Sequence, residues 1–102
     1  MKFEVTASFK GDWSRLSESE RRLFRDVLPT FNEACDRIAA DAAARLPASL
    51  RVKGVENAPG ILEMTWSFSG PDGRATFEWV TIDATRGVRW RRIGGHAIFT
   101  KP

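Results

Sequence analysis

The sequence predicts a single α+β domain over residues 1–102, in which an N-terminal strand and a helical hairpin or kinked helix pack on a small antiparallel sheet. Three observations lead there. A capping signal followed by apolar residues at three- and four-residue steps fills the first half. Alternating apolar and polar residues fill the second half, punctuated by Gly, Pro and Asp. No repeat, linker or low-complexity tail divides the two halves, and 102 residues suffice to bury one core without metal or disulfide staples.

Phe3 and Val5 alternate with Lys2, Glu4 and Thr6, which suits a short opening strand. From Phe9 to Leu16 the chain is expected to turn. Ser17-Glu18-Ser19-Glu20 then matches a capping box, with Leu16 placed as a hydrophobic staple. Leu23, Phe24, Val27, Leu28, Phe31, Ala34, Cys35, Ile38 and Ala42 form one continuous stripe. Pro29 interrupts it, so either a kink or two helices is expected, and Pro47 ends a helix-forming run through Arg45.

After Pro47 the period becomes two. Leu50 to Val55 suits a strand and Asn57-Ala58-Pro59-Gly60 a turn. Ile61 to Phe68 suits a second strand, with Leu62, Met64, Trp66 and Phe68 on one face and Glu63, Thr65 and Ser67 on the other. Gly70 to Gly73 reads as a hairpin turn, because it stands between strands and not ahead of a helix as a phosphate cradle would. Ala75, Phe77 and Trp79 oppose Arg74, Thr76 and Glu78; Val88 and Trp90 oppose Arg89 and Arg91. Every strand thus has an apolar side for the helices and a polar side left over.

Composition narrows the chemistry. One His and one Cys cannot form a metal-ligand set, and no cofactor is indicated. A single cysteine forms no internal bridge, so Cys35 suits a core position in a reducing, cytoplasmic setting. Neither a leader-like run behind Met1 nor a membrane-length apolar run is present. The net charge is +3. Residues 1–50 carry eight basic and eight acidic side chains, whereas residues 51–102 carry eight against five. The whole excess lies in the sheet half, which suits a phosphate-bearing partner or an acidic protein, and equally a plain solvated face.

What remains for chemistry is Arg51, Lys53, Arg74, Arg89, Arg91, Arg92 and His96, in strands or just past them. Cleavage of RNA by its own 2′-hydroxyl needs that proton removed, charge on phosphorus stabilised and the departing 5′-oxygen protonated. Guanidinium groups clamp the charge, and an imidazole exchanges protons near neutral pH. A lone histidine near a chain end also serves as a surface residue or a core hydrogen-bonder, so the residue types leave both roles open.

Leu50-Arg51-Val52-Lys53-Gly54-Val55, the run Gly60 to Met64, Gly73-Arg74-Ala75-Thr76-Phe77 and Arg92-Ile93-Gly94-Gly95-His96-Ala97-Ile98-Phe99 occur in an order that resembles the RelE/ParE superfamily of bacterial type II toxins. The resemblance spans nearly the whole chain. It implies a ribosome-dependent, metal-independent endoribonuclease that inhibits translation by cutting mRNA in the A site of the 70S ribosome and is silenced by a cognate antitoxin. It implies Arg74 as the contact to the scissile phosphate and His96 as acid or phosphate ligand. Arg51, Lys53, Arg89, Arg91 and Arg92 would bind RNA, and Glu63 would be a general base or a cross-strand partner for arginine.

Two departures from the family pattern stand out. Glu63 and Thr65 occupy the neighbourhood where some members carry middle-strand lysines, and the chain has no tyrosine, so base stacking would fall to Phe99 or to Trp90, whose alternation places it in the core. The ParE branch shares the fold but inhibits DNA gyrase by binding, without catalysis. A third reading is a non-toxic scaffold that keeps only the antitoxin contact. All three readings depend on Arg74 and His96 meeting on the uncovered side of one sheet.

Overall fold

In the computed structural model, residues 1–41, 43–66 and 73–102 are described, with His96 as backbone alone. Strand β1 (Lys2–Val5) leads into helix α1 (Ala7–Arg15) and helix α2 (Glu18–Ala40). Strands β2 (Lys53–Gly54), β3 (Leu62–Thr65), β4 (Arg74–Ile82) and β5 (Thr85–Gly94) follow, with short 3-10 turns at Ala48–Leu50 and His96–Thr100. The sheet order is β1-β5-β4-β3-β2. The last four strands are antiparallel neighbours, but β1 runs parallel to β5, so the sheet is mixed and not wholly antiparallel as expected. The parallel pair joins the first strand to the last, with both helices and three strands between them.

The expected turn over residues 9–16 is a helix instead. Thr6 caps it by accepting from the Phe9 amide at 3.1 Å, and Phe9, Trp13 and Leu16 face the core at helical spacing. The helical hairpin therefore breaks at Leu16-Ser17 and not at Pro29, which lies inside one continuous α2. The Ser17–Glu20 capping box forms as expected, with both reciprocal bonds present. Its staple position faces Arg21, which fastens the joint by donating to the Trp13 and Ser14 carbonyls. The helix ends at Ala40, earlier than Arg45, where the Asp41 carboxylate accepts from the Ala43 amide in a local turn. The predicted strand over 50–55 shortens to Lys53–Gly54, because Arg51 adopts φ 50° after the 3-10 turn and interrupts extension. Ala42, Ser67, Phe68 and the turn residues Gly70 to Asp72 lie outside the described residues.

The core lies between the helices and one sheet face. Trp90 is its hub, with ring centroids of Phe31, Phe24 and Phe77 at 4.9, 5.2 and 5.3 Å. Phe24, Phe31, Ala34 and Cys35 supply the buried part of the α2 stripe. Met64, Trp66, Ala75, Phe77, Val88 and Trp90 supply the sheet side, as the alternation requires.

One irregularity decides what the other face presents. Thr76 pairs with Arg92 but Phe77 with Trp90, leaving Arg91 as an extra residue in β5. The bulge resets the period, so Ile93 joins Val88 and Trp90 in the core while Arg92 joins Arg89 and Arg91 on the polar face. Without it Arg92 would be driven beneath the helices. Beyond Trp90, α1 takes the place of β1 at the β5 edge. The Thr6 amide donates to the Trp90 carbonyl, the Thr6 hydroxyl to the Arg91 carbonyl at 2.6 Å, and the Ile93 amide to Asp12 Oδ2 at 3.1 Å.

Candidate nucleic-acid interface

The polar face divides into two regions. Toward the β2 edge, Arg51, Val52, Lys53, Glu63, Thr65 and Arg74 line a pocket of about 310 Å³. A neighbouring pocket of about 360 Å³ shares Lys53 and Glu63 and is closed on one side by Phe99. The strand register explains the gathering. Lys53 is directly opposite Glu63, and Arg74 is opposite Thr65, two residues further along β3. Lys53 Nζ and Arg74 Nε flank Glu63 Oε1 at 3.7 and 3.8 Å.

Glu63 is only 8 % exposed and Thr65 only 2 %, although both point away from the helices. In the segment after β5, Phe99 lines a pocket with Glu63, and Ile98 is buried close to Gly94. Arg74 also donates to the Gly73 carbonyl. A largely buried carboxylate between two cations can accept a proton from a substrate hydroxyl, and the cations can receive a phosphate beside it. Arg74 is paired with Gly94, two residues before His96, which opens the final 3-10 turn. The backbone thus brings the segments of Arg74 and His96 together.

Along β5 the arginines are engaged within the chain. Arg89 donates to Glu4 and Glu78 at 2.6 and 2.7 Å, which hold its guanidinium firmly protonated. Arg91 donates to Glu78 at 2.8 Å and to the Pro102 carbonyl at 3.0 Å. Arg92 grips Asp12 through Nε and Nη2 at 2.6 and 3.0 Å and reaches the Lys101 carbonyl. Burial pushes the Asp12 carboxyl up, but the bonds from Arg92, the Ile93 amide and Arg15 outweigh it and hold it below its ordinary value.

Of the residues singled out from sequence, Arg51, Lys53, Glu63, Arg74 and Phe99 therefore gather around two adjoining pockets, while Arg89, Arg91 and Arg92 belong to a separate ion network. Trp90 is in the core, as its alternation predicts. Thr65 and Glu78 stand on the polar sides that alternation predicts, Glu78 as a partner for arginine, but sequence reading passed over Asp12. Nothing local marks Asp12, whose partners Arg92 and Ile93 lie about eighty residues away.

Among the described residues no group of three or more His, Cys, Asp or Glu is placed to hold a metal, and no helix is long and apolar enough to cross a membrane. Comparison with protein-family models finds no match, and comparison with curated proteins finds none. The fold itself has a counterpart: two helices on a five-stranded mixed sheet are the architecture of a small toxin of known structure. That structure is a YoeB/ParE toxin from Agrobacterium tumefaciens, similar at a TM-score of 0.54 over 94 % of this chain and 99 % of the other, with 13 % identity. The likeness is one of fold.

Proposed function

We propose that this chain is the toxin of a toxin–antitoxin pair and acts as a metal-independent endoribonuclease on mRNA in the A site of the 70S ribosome, in the cytoplasm. The observation that carries the proposal is the flanking of the buried Glu63 carboxylate by Lys53 and Arg74 at a pocket of about 310 Å³. Glu63 takes the proton from the 2′-hydroxyl, and the oxygen attacks phosphorus. The P–O5′ bond breaks to leave a 2′,3′-cyclic phosphate. Arg74 and Lys53 stabilise the charge that builds on the phosphoryl oxygens, and His96 protonates the departing 5′-oxygen. Arg51 and Phe99 hold the flanking phosphate and base. Arg89, Arg91 and Arg92 contribute long-range attraction for RNA, tempered by their acidic partners. An acidic antitoxin segment that orders on binding would cover the same pockets.

The decisive experiment is cell-free translation with mapping of transcript ends. Wild-type chain is expected to generate new ends at ribosome-occupied codons. Glu63→Gln, Arg74→Ala and His96→Ala are each expected to lower cleavage by about 100-fold or more while the chains stay folded. Intact transcripts with wild-type chain would defeat the reading.

Pairing of Arg89, Arg91 and Arg92 with acidic residues favours one rival, a non-toxic scaffold that keeps only the antitoxin contact, because it reduces the cationic surface open to RNA. Such a scaffold leaves transcripts whole and supercoiling untouched, whereas a non-catalytic inhibitor of DNA gyrase leaves transcripts whole and blocks supercoiling.

A further inference from the structure

We infer that the outer edge of β1 pairs with the same edge of a second copy of this chain, forming a two-fold antiparallel junction centred on Phe3. Strand β1 closes one end of the sheet and, among the described residues, pairs with β5 alone. The Thr6 amide points toward β5, where it meets the Trp90 carbonyl, and the Lys2 carbonyl lies against Gly87. By strand alternation, the amides and carbonyls of Lys2, Glu4 and Thr6 therefore face β5, and those of Phe3 and Val5 face outward. The strand contains no proline, and Lys2, Phe3 and Glu4 are all exposed. Phe3 is 65 % exposed, the most exposed large apolar side chain among the described residues. By the register it stands on the helix-side face beside Val88, yet it stays largely open to solvent.

Charge selects the occupant and the register. Pairing of two outward-facing sets requires odd-numbered residues opposite odd-numbered ones, so the two-fold axis passes through Lys2, Phe3 or Glu4. An axis at Lys2 sets lysine against lysine, and one at Glu4 sets glutamate against glutamate. Only an axis at Phe3 places each Lys2 opposite the other copy's Glu4, with the two Phe3 rings side by side. Both charged residues are exposed, and their present ion pairs, Lys2 with Asp83 and Glu4 with Arg89, are surface pairs that can share a further partner. The result is a continuous ten-stranded sheet. The pockets at Glu63 lie at the opposite edge, beyond β4 and β3, and stay open. An edge junction buries little area, so the dimer is weak and dissociates on dilution.

Sedimentation of the native chain over a range of concentrations is expected to show twice the monomer mass at the upper end, falling to the monomer on dilution. Phe3→Cys is expected to couple by disulfide at least ten times faster than Thr81→Cys, a control at another exposed strand position. Lys2→Cys mixed with Glu4→Cys should give the mixed dimer, and neither alone should couple, because like positions are offset beyond disulfide reach. Phe3→Pro removes one outward amide without touching the β5 pairing and should abolish the dimer at an unchanged thermal midpoint. Should that variant not fold, the thiol race decides alone. A monomer at every concentration, or equal coupling of the Phe3→Cys and Thr81→Cys variants, overturns the inference and leaves the edge to a strand of different sequence.

Discussion

Asp12 joins segments far apart in the chain. It is 5 % exposed and accepts from Arg15, from two guanidinium nitrogens of Arg92 and from the Ile93 amide, so it ties α1 to the far end of β5. Removing one member of such a pair leaves the other charge poorly solvated, and Asp12→Ala is expected to lower unfolding free energy by about 3 kcal/mol in a denaturant titration. The direction of its titration also predicts an acid response. Because the folded-state pKa lies below the unfolded one, the unfolded chain binds more protons between them. Stability from Asp12 is therefore complete above its unfolded pKa, about 3.9, and drains away as pH falls through the lower folded value. Asp12→Asn should flatten the pH dependence of the denaturation midpoint in that acid window. Cys35 gives a second residue-scale test. Burial, aided by Asp36, pushes its thiol up to about 11, so it should resist alkylation at pH 8 in the native state and react once the chain unfolds.

Two elements carry strain that substitution can reveal. Pro29 sits exposed in the interior of α2, where it cannot donate a hydrogen bond to the preceding turn. Pro29→Ala restores that bond, and part of the gain is lost to a freer unfolded chain. A net stabilisation of about 1 to 2 kcal/mol is expected, read as a higher thermal midpoint. At the start of β4 the reverse holds. A Cβ on Gly73 would stand 2.3 Å from the buried Trp66 ring, so Gly73→Ala must displace a large core side chain. Its expected cost is about 2 kcal/mol in the same measurement, with a changed Trp fluorescence. The bulge in β5 is the element-scale feature with the widest consequence, since it allows Arg89, Arg91 and Arg92 to share one face while Val88, Trp90 and Ile93 share the other.

At the scale of the whole molecule, chain ends and middle are interlocked. β1 pairs with β5, α1 caps the β5 edge, and α2 covers β4 and β5 through Phe31 against Phe77 and Trp90. Trp13 on α1, Trp66 beyond β3 and Trp90 on β5 all contact Phe24. No part can leave without exposing the same aromatic cluster, so fluorescence and far-ultraviolet circular dichroism should report one coincident unfolding transition. The interlocking also accounts for the polar face, where acidic residues from β1, α1 and β4 converge on the arginines of β5, apart from the pockets at Glu63.

Much of this was legible from residue order. Apolar periodicity and the Ser17 capping box located α2, and two-residue alternation sorted β3, β4 and β5 into a core side and a polar side. These signals are local, arising from the geometry of one helix or one strand. The bulge went unread, because the alternation seen through Arg91 does not by itself say that Arg92 stays on the polar side. Helix α1 was harder to see because Gly11 and the polar residues around Phe9 and Trp13 weaken its stripe.

By itself the sequence determined an α+β domain, its helical core stripe, the apolar faces of its strands and a concentration of arginine in its second half. Only the tertiary structure decided that β1 pairs in parallel, that Asp12, Glu4 and Glu78 engage the β5 arginines, and that Lys53, Glu63 and Arg74 share one pocket. The reason is physical: periodicity reports which way a side chain faces, whereas charge pairing depends on which distant segment the fold lays beside it.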